Sequence, residues 1–222
     1  GIVQGPFGPF PLSGGDIFIT ITDDGDGACQ LVGEAVNVPA PCPPDVDFGD
    51  LPDDNFPGTY PTDLVNGAGE GEGACHVLVP GMKLGASIDA ETDGQPSMLA
   101  DGDDLNGDDE DGVVAPAMIV AGQTATFEIT AMNMNGQGND AFVVGFIDWN
   151  GDGDFDDNEE TQTSNALFDG YNNSFDMVFN VPTDAILNTQ LGARFRLGSN
   201  LVDISEAEGC TTDGEVEDYS VV

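Results

Sequence analysis

Apolar and polar positions alternate with a period of two through most of the second half of the chain, as half-buried strands require. Residues 124–132 place Phe127, Ile129 and Ala131 on one row. Residues 174–181 do the same with Phe175, Met177, Phe179 and Val181. Residues 190–197 put Leu191, Ala193, Phe195 and Leu197 on one face and leave Arg194 and Arg196 on the other. Residues 141–149 (AFVVGFIDW) are apolar on both faces and predict a central strand, and the C-terminal VEDYSVV predicts a last one. The apolar run 113–120 (VVAPAMIV) contains Pro116, which confines it to an edge or a bulge. No helical period runs beyond about ten residues. Short strands separated by turn-rich loops predict an all-β fold, an antiparallel β-sandwich.

The N-terminal region reads differently. Residues 1–15 (GIVQGPFGPFPLSGG) are too rich in Gly and Pro for a helix or a central strand. Residues 16–22 (DIFITIT) then alternate, with Ile17, Ile19 and Ile21 on one face and Phe18, Thr20 and Thr22 on the other. This is a strand with two usable faces. A Pro-rich stretch, PAPCPPD, ends at Asp45, so residues 1–45 read as an arm and 46–222 as the sandwich domain.

Charge changes the picture. Of 222 residues 42 are acidic, against Lys83, Arg194, Arg196 and a neutral His76, for a formal net charge of −39. Three cations cannot supply the footprint that nucleic acid demands, and an anionic membrane surface or a polyphosphate would be repelled. No apolar run is long enough to span a membrane. Two carboxylates about 4 Å apart repel by roughly 4 kcal/mol at an effective dielectric of 20. Dozens of such pairs rival a net stability of about 5–15 kcal/mol. With so few basic side chains, the compensating charge is expected from solvent, as several bound calcium ions.

The loops carry the matching pattern. Residues 148–159 (DWNGDGDFDDNE) fit D-x-[DN]-x-[DN]-G-x5-E without a mismatch. Asp148, Asn150 and Asp152 alternate, Gly153 permits the sharp turn, Asp154 offers its carbonyl, Asp156 ligates directly or through water, and Glu159 closes bidentate. The β-branched, aromatic segment before it argues for a loop capping a strand rather than a helix–loop–helix hand. A second candidate joins Asp89, Glu91 and Asp93 to the acidic run 101–111, where Asp101, Asp103, Asp104, Asn106 and Asp108 flank an Asn-Gly turn. The loop 22–27 (TDDGDG) is a weaker third.

Four cysteines without a C-x-x-C pair read as two disulfides formed in an oxidising compartment. Three pairings are possible; a local Cys29–Cys42 loop and a long Cys75–Cys210 closure are favoured. The absence of an initiator Met and of a leader is what a mature exported product would present. Catalysis finds little support: no G-x-S-x-G elbow, phosphate cradle or histidine-based zinc triad occurs, and a glycosidase-type acid pair is what so many carboxylates would supply by chance. One Trp and three Tyr leave few platforms for sugars. His76 reads as a structural histidine, and the arginine pair as a neutraliser of neighbouring acids. The chain is expected not to be an enzyme.

Several motifs occur in a fixed order: DFGDLPD (47–53), ACH (74–76), LGASIDAETDGQPS (84–97), ADGDDLNGDDEDGV (100–113), FIDWNGDGDF (146–155) and GEVEDY (214–219). Together they resemble the GEVED domain of secreted and cell-surface bacterial proteins, over about residues 46–222. The resemblance implies a β-sandwich module without established catalysis, and acidic motifs that serve as structural ion sites. It further implies that Asp47, Asp50 and Asp53 join Glu215, Glu217 and Asp218, tying the first and last segments together.

The functional expectation is a secreted, extracellular calcium-binding structural protein. It assembles with copies of itself at the cell surface, as a filament or surface layer, when the 16–22 strand adds to a neighbour's sheet edge. The alternative is a calcium-dependent adhesion module for a glycan or a surface receptor.

Overall fold

The computed structural model describes residues 20–23, 29–32, 45–53, 60–64, 73–102, 110–156 and 160–222, with backbone alone for the first two stretches. The chain divides into two compact units, Gly1–Pro44 and Asp45–Val222. In the first, β1 (Thr20–Asp23) and β2 (Cys29–Val32) pair antiparallel, with Ile21 opposite Leu31 and Asp23 opposite Cys29. Ile17, Phe18, Ile19 and Cys42 lie outside the described residues, as do Asp103, Asp104, Asn106, Asp108 and Glu159.

The second unit holds β3 (Val46–Phe48), β4 (Cys75–Val77), β5 (Met82–Leu84), β6 (Val113–Val114), β7 (Thr124–Asn133), β8 (Phe142–Ile147), β9 (Thr161–Thr163), β10 (Tyr171–Asn180), β11 (Leu191–Gly198), α1 (Leu201–Ile204), β12 (Cys210–Thr211) and β13 (Glu215–Val221). One four-stranded sheet runs β10-β7-β5, with β6 also on β7, and a second runs β13-β11-β8-β9. All pairs within them are antiparallel. In the three-stranded sheet β12-β4-β3 the β12–β4 pair is parallel.

Period-two patterning produces the core. Along β7, Ala125, Phe127, Ile129, Ala131 and Asn133 are buried, while Thr124, Thr126 and Glu128 are exposed. Met177 and Phe179 of β10 join Phe127 and Ile129 in one hydrophobic cluster. The other sheet adds Val143, Ile147, Ala193, Phe195, Leu197 and Val221 to the same cluster. Phe127 meets Phe179 edge-on at 5.4 Å, an arrangement that aromatic quadrupoles favour. Gly145 faces Phe195 across β8 and β11; a Cβ there would lie 2.7 Å from the Phe195 ring and 2.9 Å from Met177 Sδ. The strand therefore needs glycine where the two sheets' side chains interlock. Pro116 acts as its chemistry dictates, since β6 stops after two residues.

The strand β11 departs from a simple amphipathic reading, because both its faces are buried. Leu191, Ala193, Phe195 and Leu197 enter the main core; Arg194 and Arg196 are buried on the opposite side. A separate small cluster there comprises Val144, Phe146 and Ile204, with Phe142, Phe155, Leu201 and Ala207 packed against it.

A disulfide joins Cys75 to Cys210, which face each other across the parallel β4–β12 pair at a Cα separation of 4.4 Å. It closes a loop with a sequence separation of 135. A loop of that length removes roughly 5 kcal/mol of unfolded-chain entropy in the chain-closure description. The Cys75→Ser/Cys210→Ser variant is expected to lose about 2–5 kcal/mol, measured by urea denaturation. Reductant should lower wild-type stability towards that of the variant and leave the variant's β-sheet unfolding unchanged.

Candidate functional site

Three cations must serve a chain with 42 acids, and two of them are spent inside it. Arg194 projects from β11 and forms a fork on Asp218 of β13: Nε donates to Oδ1 and Nη2 to Oδ2, each at 2.8 Å. Register explains the encounter, since Arg194 and Asp218 are directly opposite in the β11–β13 ladder. Nη1 donates to the carbonyls of Pro61 and Ala207. Asp218 Oδ2 also accepts from the backbone N–H groups of Asp50 (2.9 Å) and Leu51 (3.0 Å). Both side chains are fully buried. Burial works against the guanidinium charge, but Asp218 outweighs it and raises the Arg194 pKa. A Cβ on Gly49 would fall 2.2 Å from Asp218 Oδ2, so glycine is required for the 48–51 segment to approach the pair.

Arg196 is held by neutral acceptors. Its Nη atoms donate to the carbonyls of Glu206, Glu208 and Gly209, and Nε donates to His76 Nε2 at 3.0 Å. A guanidinium has no acceptor atom, so His76 Nε2 must be the lone-pair nitrogen. The proton therefore resides on Nδ1, which donates to the Asp213 carbonyl at 2.9 Å. Burial, then Arg196, lowers the His76 pKa and keeps the imidazole neutral. Both nitrogens are committed, the structural role its single occurrence suggested.

Of the acids of the first and last segments, Asp218 meets the backbone of 50–51 and Asp47 meets that of Val216, while Glu215 and Glu217 face the other side of β13; all serve chiefly as acceptors of main-chain N–H groups. Asp47 Oδ2 accepts from Val216 N at 2.6 Å, Asp50 Oδ2 from Gly102 N at 2.7 Å, and Asp53 Oδ2 from Thr62 N at 3.0 Å. Glu215 accepts from Leu84 N. Glu217 accepts from Gly112 N and from the Tyr219 hydroxyl, both at 2.9 Å. Burial pushes the Glu217 carboxyl up to about 8. Burial, then Glu217, raises the Tyr219 hydroxyl, which also accepts from Val113 N.

The loop after β8 is anchored by its first acid. Asp148 is fully buried; its Oδ2 accepts from the Tyr60 hydroxyl (2.7 Å) and Gly153 N (3.0 Å), and its Oδ1 from Gly151 N (2.5 Å). Gly151 and Gly153 have φ of 68° and 96°, the left-handed turns the loop requires. Asp152, Asp154 and Asp156 are exposed, and Asn150 is partly so. Tyr60 and Glu160 were not among the residues read from sequence. Tyr60 bridges Asp148 to Gly192 N and stacks on Phe155 at 5.0 Å, and burial, then Asp148, raises its pKa. Glu160 is buried and accepts from Trp149 N. A clue existed in the adjacent acid pair at 159–160, of which one member can turn inward.

In the second acidic candidate, Glu91 accepts from Phe48 N (3.0 Å), Asp93 from Leu64 N (2.8 Å) and Asp101 from the Ser97 hydroxyl (2.7 Å). Asp89 is partly buried. Among the described residues no three His, Cys, Asp or Glu side chains group as a metal site.

These features define a class: an all-β, disulfide-tied domain whose buried carboxylates bind its own backbone. Residues 142–222, from β8 to the end of β13, match the family model of the GEVED domain. The family that the ordered motifs resemble is therefore the one whose model matches, over this C-terminal part. No curated protein and no solved structure matches the chain.

Two predictions test the buried charges. Arg194→Met strands Asp218 in the interior and should cost about 3–5 kcal/mol in chemical denaturation; Gly49→Ala, through its clash with the same carboxylate, should also destabilise. The second concerns pH. Glu217 titrates near 8 when folded and near the ordinary glutamate value when unfolded. Between those values the folded protein holds a proton the unfolded chain has released, so stability falls as pH rises, by up to about 1.4 kcal/mol per unit. Glu217→Gln should gain stability relative to wild type from pH 5 to pH 8 in chelator. A constant difference would mean that Glu217 is ionised in the fold.

Proposed function

We propose that this protein is a non-catalytic, calcium-binding β-sandwich protein of the bacterial cell surface that assembles with copies of itself through its N-terminal strand. The observation that carries the reading is the loop leaving β8. Its first acid is fixed from below by Tyr60, its glycines turn in the left-handed region, and Asp152, Asp154 and Asp156 present oxygens outward. Hard oxygen donors in such a loop suit calcium, with Asp148, Asn150, Asp152, Asp154, Asp156 and Glu159 as its holders. The ion would supply positive charge that the side chains cannot. The disulfide supports an oxidising, extracellular setting, and no helix among the described residues is long and apolar enough to cross a membrane. For assembly, the support is β1–β2: an isolated two-stranded ribbon is marginal in water and gains stability by joining a further strand.

One observation favours a second reading, a calcium-dependent glycan- or receptor-binding module. A cleft of about 430 Å³ lies beside the loop, lined by Tyr60, Met98, Gly151, Ile186 and Gln190 among others. It predicts a monomer that needs a ligand, whereas assembly predicts a polymer that needs none.

Negative-stain electron microscopy of the purified chain, with calcium and after chelation, separates them. Filaments or sheets that come apart on chelation are expected; isolated particles in both samples would end the self-assembly reading. Calcium at a hundredfold its Kd should add about 2.7 kcal/mol, or roughly 5–10 °C in Tm, and Asp152→Ala should reduce that gain.

A further inference from the structure

The two four-stranded sheets end on the same side in β9 and β10, and a groove of about 320 Å³ separates these strands. Gln162 and Thr163 of β9 line one wall, Phe175, Met177 and Val178 of β10 the other, with Leu167 between them in the chain. Met177 and Leu167 belong to the main core and are almost fully buried, and Phe175 packs against that core; the exposed lining of the groove is mostly polar, with Val178 contributing an exposed apolar side chain.

Hydrogen-bond parity determines what β10 offers there. On β7, Thr130 and Met134 donate towards the β5–β6 side, to Gly112 and Gly81, which leaves the odd-numbered residues of β7 facing β10. Val181 N, bonded to Gln123 O, obeys the same parity. With Phe175 opposite Ile129 and Met177 opposite Phe127, odd residues of β10 spend their backbone groups on β7. The N–H and C=O groups of Ser174, Asp176 and Val178 point away, to an edge that pairs with no strand among the described residues. Long edge strands are normally blunted by Lys, Pro or a bulge. This one has ten residues, no Lys and no Pro.

Charge selects the occupant. Residues 161–168 (TQTSNALF) carry no charge, and β10 carries only Asp176. Residues 1–23 carry only Asp16 and Asp23, at the two ends of the 16–23 segment, and contain the alternating Ile17, Ile19, Ile21 row. In a chain of net charge −39, these are surfaces that two copies can bring together with little repulsion. Eight residues, 16–23, extend for roughly 26 Å, and the ten of β10 for roughly 33 Å, so the lengths are compatible.

We propose that residues 16–23 of a second copy add to β10 as an edge strand in this groove. The inference rests on the self-assembly reading and names the surface that accepts the strand. The full-chain variant Val178→Pro tests it. Proline removes an outward N–H and leaves the β7 ladder its bonds, so the fold should survive, as checked by its melting temperature. The variant should stay monomeric under conditions where wild type forms filaments. Mixed into wild type, it should shorten filaments in proportion to its mole fraction, because it can donate a strand but not accept one. Filaments of Val178→Pro as long as those of wild type would overturn the groove and leave self-assembly standing. A wild type that forms no filaments would overturn both. Should the variant not fold, amide hydrogen exchange on wild type decides. The amides of Ser174, Asp176 and Val178 should slow about tenfold or more on assembly. Unchanged exchange, or equal protection in the dissociated subunit, would overturn the second-copy occupant.

Discussion

The structure depends on one buried ion pair, the fork of Arg194 on Asp218. Taking both charges out of water costs several kcal/mol each, and their attraction offsets this only when every remaining donor and acceptor is used. Here they are used. Asp218 takes two further main-chain N–H groups from 50–51, and Arg194 reaches the carbonyls of Pro61 and Ala207. Four separated parts of the chain, β11, β13, residues 50–51 with Pro61, and the turn after α1, thus share one electrostatic knot. Removing either charge would leave the other stranded among all four, which is why the pair acts on tertiary organisation rather than on the local ladder.

A chain with so few basic side chains must find other donors for its buried carboxylates, and it uses its own backbone. Asp47, Asp50, Asp53, Asp148, Glu160, Glu215 and Glu217 all accept from main-chain N–H groups. Most of these bonds satisfy loop amides, and those to Val216 of β13 and Leu84 of β5 satisfy strand amides, so buried segments keep no orphaned amide at these positions. Glu217 shows the limit of the device. One N–H and one hydroxyl do not repay its desolvation, and its carboxyl holds its proton up to about pH 8. His76 has the opposite linkage: kept neutral when folded, it weakens the fold as pH falls below the ordinary imidazole range.

How far this was legible follows from the range of each signal. The long strands β7, β10 and β11 could be read because alternation over eight to ten residues is unambiguous, and the terminal run VEDYSVV was expected as a last strand, β13. The strands β3, β5 and β12 could not, since two or three residues contain no period, and the parallel pairing of β12 with β4 is created by distant closure. The two arginines were placed correctly opposite the core row of β11, but the partners that hold them when buried lie 10 to 133 residues away. Tyr60 gave no sign of its role, because a lone tyrosine in a Pro-rich loop says nothing of an acid 88 residues on. The pattern at 148–159 picked out Asp148 from local spacing alone, whereas Glu160 is identified only by its contact with Trp149.

The same contrast between total and local charge bears on association. At physiological ionic strength the Debye length is about 8 Å, so most of the charge on one copy is screened from most of the charge on another. What opposes a contact is the acid density within that distance of it, not the formal −39. A uniform spread of acids would forbid every close approach. This chain concentrates them in loops and at the ends of β13 and β8, and leaves the β9–β10 margin and the N-terminal segment almost bare of charge. Those stretches also carry apolar residues in an alternating row and an edge strand that pairs with no other among the described residues. Low repulsion, apolar area and such an edge coincide there, and the coincidence makes a specific strand addition compatible with a protein that otherwise repels itself.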